Sequence, residues 1–169
     1  LPVQLYSGLP YITEQMHHLN FKIGPVSFYQ TNPNQATNLY TIVKEFANLS
    51  GKETVYDLYT GTGTIANFVA DKAKKVVGID NVEPAIHDAV QNSINNNINN
   101  TVFVAGDLAK VFVSDFIALN GSPDVVITDP PRSGMHPKVI ERLLEILPQK
   151  IVYVSCNPAT QARDISMMA

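Results

Sequence analysis

Short apolar runs alternate with segments of helical periodicity from about residue 53 onward. The runs predict strands near 53–58, 75–79, 101–105, 123–128 and 150–155, and the periodic segments predict helices near 64–72, 84–97, 107–119, 137–147 and 158–168. Pro84 and Pro137 stand where a first-turn proline loses no hydrogen bond, which marks two helix starts. Five successive βα units predict an α/β domain whose mostly parallel sheet is covered on both faces.

The first 50 residues follow a different pattern. Residues 1–31 have the pattern of short extended pieces, with a turn signal at Gly24-Pro25 and a strand expected over Val26–Tyr29. Between Asn34 and Leu49 the apolar residues recur at helical spacing, which predicts one helix. We therefore expect residues 1–31 to be the remnant of a preceding β-rich region and residues 32–169 to form the main domain.

One further stretch is biased in composition. Residues 92–100 are rich in asparagine, but Ile94 and Ile98 keep helical spacing. We interpret the stretch as a helix end and loop without a function of its own.

Composition narrows the class of protein. A chain of 169 residues with 45% hydrophobic and 16% charged residues is typical of one soluble globular domain, and no apolar run approaches the roughly 18 residues of a membrane span. The start lacks both an initiator Met and a signal-peptide pattern, so we expect a piece of a longer protein that stays in the cytoplasm. A single cysteine excludes an internal disulfide and a cysteine-based zinc site, and we expect no metal and no membrane partner. The net charge of −3 provides no overall attraction to phosphate.

Ligands of open α/β sheets bind outside the carboxyl ends of the strands, where this chain carries unusual residues. After the first predicted strand, Gly61, Gly63 and Ala66 satisfy the G-x-G-x-x-A pattern, which lets the backbone approach a ligand at a helix N-terminus. A tight turn explains the same glycines as well. Asp80 follows the second strand, 80 − 61 = 19 residues beyond Gly61, the offset at which a carboxylate binds ribose hydroxyls. Its alternative role is to cap the next helix.

Two more strands end in acidic residues. Asp107 could accept a hydrogen bond from an adenine amino group or cap the following helix, and both interpretations stay open. Asp129-Pro130-Pro131-Arg132 follows the fourth strand. Two prolines stiffen this loop and would hold Asp129 and Arg132 at the cleft, and the alternative is a merely rigid turn.

The fifth predicted strand leads into Cys156. Pro158 suits the first turn of a helix, so Cys156 is expected just outside the positive end of that helix. This position favours a thiolate and therefore a nucleophile. The alternative is a buried apolar thiol.

Four stretches together resemble the class I S-adenosylmethionine-dependent RNA (uracil-5-)-methyltransferases. They are Ser27–Asn32, Asp57–Thr64, Asp129–Arg132 and Ser155–Thr160. The resemblance implies a Rossmann-like, doubly wound, mostly parallel sheet of the class I methyltransferase type with its C-terminal part missing. The sequence of Cys156–Thr160 resembles that of the 23S ribosomal RNA members more than that of the transfer RNA members.

The resemblance also implies the reaction and its residues. S-adenosyl-L-methionine would be the cofactor and S-adenosyl-L-homocysteine the product, in a site formed by Gln30, Tyr59, Gly61, Gly63, Thr64, Asp80, Asp107 and Asp129. Cys156 would add to carbon 6 of a uracil in a single-stranded RNA loop, and Arg132 could stabilise charge on the uracil carbonyl oxygen.

The sequence departs from the family in several places. Thr60, Thr64 and Asp80 replace the Cys, Asn and Glu that are frequent there. The N-terminal β-barrel and the general-base Glu of the family are absent from these residues. We therefore expect a monomeric fragment that is inactive alone.

Other enzyme activities account for fewer of the motifs at the ends of the predicted strands. A nicotinamide-dependent dehydrogenase would use the glycine loop and Asp80 but neither Arg132 nor Cys156. An amino-group methyltransferase usually has an aromatic residue where Arg132 stands, and a cytosine carbon-5 enzyme has a Pro-Cys motif that is missing. A transfer RNA enzyme and a noncatalytic cofactor-binding or RNA-binding domain remain as alternatives.

Overall fold

The computed structural model describes residues 3–169 and consists of a small hairpin followed by a parallel α/β sheet. The strands are β1 (Ile12–Met16), β2 (Leu19–Ile23), β3 (Thr54–Leu58), β4 (Lys75–Asp80), β5 (Thr101–Ala105), β6 (Val125–Thr128) and β7 (Lys150–Tyr153). The helices are α1 (Pro33–Ala47), α2 (Thr64–Val69), α3 (Glu83–Asn95), α4 (Leu108–Val111), α5 (Ser114–Asn120), α6 (Pro137–Ile146) and α7 (Pro158–Met168), and a 3₁₀ turn over Ala70–Lys72 follows α2.

The main sheet has the strand order β5-β4-β3-β6-β7, with every neighbouring pair parallel. The chain builds outward from β3 through β4 to β5, then crosses back to β6 on the other side of β3. Strand order thus reverses next to β3, and this reversal opens a crevice at the carboxyl ends of β3 and β6. All five predicted βα units are present, and the predicted doubly wound parallel sheet is confirmed.

Alternate residues of the central strands enter two separate cores, one on each face of the sheet. Val55, Val76 and Val125 pack with the hairpin, α1 and α2 on one face. Tyr56 and Val126 point to the other face and pack with α4 and α6. Burial on both faces explains why these strands are continuous apolar runs.

The hairpin belongs to the first of these cores. Met16, Leu19, Phe21 and Ile23 are almost completely buried there. The boundary expected between residues 31 and 32 stays a prediction.

The strand expected over Val26–Tyr29 is wrong. The backbone turns at this point, because Ser27 N donates to Gly24 O at 3.1 Å. The carboxylate of Asp88 on α3 accepts hydrogen bonds from Gly24 N at 2.9 Å and from the Ser27 hydroxyl at 2.7 Å. These contacts hold the turn against α3.

Helix α3 takes the place of a strand beside β2. The side chain of Asn96 bonds both Asn20 N and Asn20 O, at 2.9 and 2.8 Å. One turn earlier, Asn92 bonds both Lys22 N and Lys22 O, at 2.7 and 3.1 Å. With the contact of Asp88 to Gly24, three side chains at four-residue steps match alternate residues of the strand edge, and we call Asp88, Asn92 and Asn96 the α3 ladder.

The helix predicted over 107–119 is two short helices. Phe112 ends α4 because its ring, 2% exposed, packs on Tyr56 with 5.9 Å between ring centroids. Among residues 3–169, the structure has no helix of the length and apolarity that crossing a membrane requires.

Candidate active site

The glycine loop between β3 and α2 lies at the carboxyl ends of the sheet strands, which we call the carboxyl edge. Gly61 and Gly63 have φ values of +54° and +73°, which side chains rarely adopt. A Cβ on Gly63 would lie 2.9 Å from Ala89 Cβ and 2.9 Å from Phe103 Cζ, so the loop is pressed against α3 and β5 there. A Cβ on Gly61 would meet nothing within 4 Å, so free space remains beside this residue. Thr64 opens α2, and its hydroxyl lies 3.0 Å from the Thr62 hydroxyl.

Asp57, inside β3, is the most unusual carboxyl group of the site. It is completely buried, and its Oδ2 accepts hydrogen bonds from the Thr60 hydroxyl at 2.5 Å and from Ala66 N at 3.1 Å. Among the described residues, Oδ1 has no hydrogen-bond partner. Burial raises the pKa of Asp57 to about 7, and the nearby charges of Asp129 and Asp80 act in the same direction. Asp57 was not among the predicted site residues, because a carboxyl group within an apolar strand carries no spacing signal.

Asp80 lies at the end of β4, as expected, and holds the loops on both sides of it. Its Oδ2 accepts from Gly61 N and its Oδ1 from Val82 N, each at 2.9 Å. Asp80 therefore supports the start of α3 and also anchors the glycine loop. Each oxygen retains a lone pair for a ligand.

Asp107 is more exposed and caps α4. Its Oδ1 accepts from Ala109 N at 3.0 Å, and its other oxygen lies 3.6 Å from Lys110 Nζ. The capping role that the sequence left open is therefore present, and the role toward adenine stays a prediction.

A second side chain that the sequence did not single out lies next to Gln30. Tyr40, on the buried face of α1, is 5% exposed, and the neighbouring Gln30 side chain acts to lower the pKa of its hydroxyl. Burial raises the pKa of Tyr40 further than any neighbour does, and Asp129 and Asp57 add to the shift. Tyr40 thus connects Gln30 with the acidic end of β3 and β6. The helical periodicity indicated a buried aromatic ring here but not a hydroxyl at the site.

The loop after β6 is fastened to the start of α7. The Asn157 amide and the Thr160 hydroxyl both donate to the Arg132 carbonyl oxygen, at 3.1 and 3.2 Å. Arg132 and Cys156 are exposed, and Cys156 precedes the N-cap residue Asn157, whose side chain accepts from Ala159 N. The expected position of Cys156 outside a helix N-terminus is therefore observed, and the thiol is not buried within this chain.

Tyr59 and Asp129 complete the edge. Tyr59 has a φ of +64° and its hydroxyl accepts from His136 N at 3.5 Å, which connects the ends of β3 and the loop after β6. Asp129 is partly buried, and desolvation raises its pKa. Together with Asp57 and Asp80, Asp129 makes this edge strongly acidic.

Asp164 is committed to structure. It is completely buried and accepts hydrogen bonds from Met135 N and the Tyr153 hydroxyl, both at 2.7 Å, and from the Arg163 guanidinium. Burial alone would raise the pKa of Asp164, but these hydrogen bonds hold the pKa below its usual range. Asp164 therefore stays ionised and fixes the loop after β6 to α7, so it is unsuited to accept a proton beside Cys156.

The edge suits a cationic ligand with a sugar. Three carboxyl groups meet there, one buried oxygen of Asp57 is unpartnered among the described residues, and the space beside Gly61 is open. Acidic groups attract a sulfonium or ammonium group, and Asp80 stands at the offset for ribose hydroxyls. The residues present thus fit S-adenosyl-L-methionine.

Solved structures define the class of the fold. The chain aligns with the Pyrococcus abyssi tRNA (uracil-54, C5)-methyltransferase, determined in complex with S-adenosyl-L-homocysteine, with a TM-score of 0.83 and 38% identity over 96% of this chain and 38% of that one. An S-adenosylmethionine-dependent methyltransferase from Agrobacterium tumefaciens aligns with a TM-score of 0.72 at 18% identity, over 96% of this chain and 58% of that one. The fold is the Rossmann-like fold of class I methyltransferases, as predicted.

The sequence comparison identifies the family. The tRNA (uracil-5-)-methyltransferase family profile matches residues 10–169, and this chain belongs to that family. It is 60% identical over 98% of its length to a Porphyromonas gingivalis protein named "uncharacterized RNA methyltransferase", and 55% identical over 99% to a protein of the same name from Bacteroides thetaiotaomicron. The chain spans 36% and 37% of the length of these two relatives.

Proposed function

We propose that this chain carries the cofactor site and the nucleophile of a monomeric cytoplasmic enzyme that transfers a methyl group from S-adenosyl-L-methionine to carbon 5 of a uridine in RNA. The observation that carries the proposal is the pair of hydrogen bonds from Asn157 and Thr160 to the Arg132 carbonyl. These bonds keep the backbone of Arg132 beside the loop of Cys156, next to the acidic edge. A nucleophile and a cation beside a methyl-donor site are the groups that this reaction requires.

The cofactor is assigned to the crevice next to β3. S-adenosyl-L-methionine supplies an electrophilic methyl group on a positively charged sulfur. Gln30, Tyr59, Thr64 and the glycine loop would surround it, while Asp80 would accept from the ribose hydroxyls. The acidic edge favours binding of the positively charged cofactor over its neutral-sulfur product.

Cys156 activates the base. Its thiolate forms a bond to carbon 6 of uracil, and the electron pair of the carbon 5–carbon 6 double bond moves toward the carbonyl oxygen at carbon 4. The Arg132 guanidinium stabilises the charge on that oxygen. Carbon 5 would then take the methyl group as its bond to the sulfonium sulfur breaks, which leaves S-adenosyl-L-homocysteine. The base must leave its stack to reach the exposed thiol, which favours a single-stranded loop.

The adduct is resolved by proton removal. A base takes the proton from carbon 5, the double bond re-forms, and Cys156 leaves as a thiolate. Asp164 is unsuited because its oxygens are engaged with Met135, Tyr153 and Arg163. We therefore expect residues 1–169 alone to bind the cofactor without completing turnover. Multiple-turnover methylation of a uridine-containing RNA by this chain alone would show that the base lies within it.

Trapping of the adduct tests the proposal. Fluorine at carbon 5 cannot leave as a proton does, so an RNA carrying 5-fluorouridine should remain bound to Cys156 of the full-length protein. Denaturing gels would show the adduct and peptide mapping would locate it, with unsubstituted RNA and Cys156→Ala as controls. An adduct mapped to another residue, or uridine methylation by Cys156→Ala, would contradict covalent catalysis by Cys156.

We propose 23S ribosomal RNA as the substrate, with transfer RNA as the alternative. The resemblance of Cys156–Thr160 to ribosomal RNA members supports the first, whereas the solved Pyrococcus abyssi relative is named as a transfer RNA enzyme. Mapping of 5-methyluridine in both RNAs, in cells with and without the full-length gene, decides between them. Loss of the modification from transfer RNA alone would overturn the ribosomal assignment.

A further inference from the structure

The glycine loop is held from outside by one completely buried amide. Asn92 is 0% exposed and uses both sides of its carboxamide. Its nitrogen donates to Thr62 O at 3.2 Å and to Lys22 O at 3.1 Å, while its oxygen accepts from Lys22 N at 2.7 Å. One side chain therefore bonds the backbone of the glycine loop and that of β2 at the same time.

The N-cap residue of α2, Gly63, gives the loop no side-chain hydrogen bond, although Asp57 on β3 accepts from Ala66 N in the first turn of the helix. Three other peptide groups of the loop bond to the main sheet or within the loop: Thr60 N donates to Ile79 O, Gly61 N to Asp80 and Gly63 N to Thr60 O. Thr62 O is the point at which α3 reaches the loop. The close approach of Gly63 to Ala89, one turn before Asn92, places the same helix against the loop a second time.

We propose that Asn92 is a positioning residue for the cofactor, acting through the Thr62 peptide. This inference rests on the proposed placement of the cofactor at the glycine loop, but it does not depend on Cys156 or on uracil chemistry. Without the amide, the Thr62 carbonyl loses a buried donor and the loop gains freedom between Gly61 and Gly63. The asparagine-rich stretch that the sequence left without a function thus begins with a residue that shapes the site.

Asn96 provides a matched control on the same helix face. Its amide makes the same two backbone bonds to β2, through Asn20, and an additional bond to Asn92 O, but none to the glycine loop. Substitution of either residue by Ala removes one of the three contacts of the α3 ladder with the hairpin. Only Asn92→Ala also releases the loop. A merely structural role of Asn92 therefore predicts similar effects of the two substitutions on the cofactor once both proteins are folded.

The test compares the wild type, Asn92→Ala and Asn96→Ala in the full-length protein, well below their melting temperatures. We expect Asn92→Ala to bind S-adenosyl-L-homocysteine about tenfold more weakly, the effect of one lost buried hydrogen bond, and Asn96→Ala to bind as the wild type does. The KM for the methyl donor should rise in the same proportion, with kcat largely retained at saturation. Equal affinities of the two variants would overturn the inference.

Hydrogen exchange gives a second measurement that needs no activity. Amides of the glycine loop, residues 59–64, should exchange faster in Asn92→Ala than in Asn96→Ala, while both variants raise exchange in the hairpin. If Asn92→Ala does not fold, Asn92→Ser, which removes the long-range donor but keeps a polar group, takes its place in both assays. Unchanged exchange at residues 59–64 in a folded Asn92 variant would overturn the inference. Failure of the wild type to bind S-adenosyl-L-homocysteine would instead contradict the proposed cofactor site.

Discussion

The two halves of the carboxyl edge are held in different ways. In the cofactor half, formed by the loops after β3 and β4, Asp57 and Asp80 are 0% and 9% exposed and bond to backbone amides. In the nucleophile half, formed by the loops after β6 and β7, Arg132 and Cys156 are exposed. The backbone of the nucleophile half is fastened through the Arg132 carbonyl and through Met135 N, which donates to Asp164, while the side chains of Arg132 and Cys156 stay exposed.

This difference fits the two ligands of the proposed reaction. A small charged cofactor binds more tightly to a site whose polar groups are fixed beforehand, because less conformational entropy is lost on binding. A uridine within RNA is part of a large molecule, so its base can react only with an accessible thiol. We infer that the buried half determines affinity for the cofactor and the exposed half determines the chemistry, and the substitutions below test this separation.

The largest effect is expected for Cys156→Ala in the full-length protein. Uridine methylation should fall on the order of a thousandfold or more, because the activating adduct cannot form. Affinity for S-adenosyl-L-homocysteine should not change, since Cys156 lies in the exposed half. Calorimetric titration and a methyl-transfer assay measure the two quantities. A parallel loss of affinity would show that the halves are not separable.

The next largest effect is expected for Gly63→Ala, with Gly61→Ala as its matched partner. Both residues have positive φ, but only at Gly63 would the new Cβ press against Ala89 and Phe103. Gly63→Ala should lower the free energy of unfolding by about 3 kcal/mol and Gly61→Ala by about 1 kcal/mol. Denaturant unfolding measures both. Equal costs would contradict the packing of the loop against α3 and β5.

A pH profile examines Asp57. Its pKa is raised from 3.8 to about 7 by burial, so between these values the folded protein holds a proton that the unfolded chain has lost. The contribution of Asp57 to stability therefore falls with rising pH across this window, by up to about 1.4 kcal/mol per pH unit, and is constant above it. Asp57→Asn should lack this slope, so the difference in free energy of unfolding between wild type and variant should change with pH across the window. Parallel unfolding profiles from pH 4 to 7 would show that Asp57 is ionised throughout.

The smallest effect compares Asp80 with Asp107. Asp80→Ala should weaken binding of S-adenosyl-L-homocysteine by at least about 1 kcal/mol, the scale of a charge-assisted hydrogen bond. Asp107→Ala should weaken it less, because the carboxylate is exposed and screened. Calorimetry on both variants measures the difference. An unchanged affinity with a lower melting temperature would make Asp107 a helix cap only.

The sequence predicted the main sheet well because each βα unit has local signals. Pro137 and Pro158 start helices as expected, and buried strands of a parallel sheet are plain apolar runs. The hairpin turn was not predicted, since His17 takes a φ of +52° without the glycine or asparagine that usually marks such a turn. Where Phe112 interrupts a helix, its contact with Tyr56 is tertiary and leaves no local trace.

The sequence predicted the positions of some residues at the carboxyl ends of the strands, whereas their roles stay predictions. Asp80 and Cys156 were found because they follow strands at recognisable offsets, and both lie where expected. Asp57, Tyr40 and Asn92 were not among the predicted site residues, because their burial and their contacts with residues distant in sequence leave no local pattern. A strand pattern does not tell which strand becomes central. A helix pattern likewise does not tell which buried side chain turns a polar atom toward a loop.

The α3 ladder shows how much of a strand edge one helix can pair with. Side chains four residues apart on a helix are separated by about 6.0 Å along its axis, whereas alternate strand residues are separated by about 6.8 Å. The mismatch of about 0.8 Å per step grows to roughly 1.6 Å over three contacts, which exhausts the tolerance of a hydrogen bond. A fourth contact would fall out of alignment. The three observed contacts, from Asn20 to Gly24, are thus about as many as one helix can make along a strand edge.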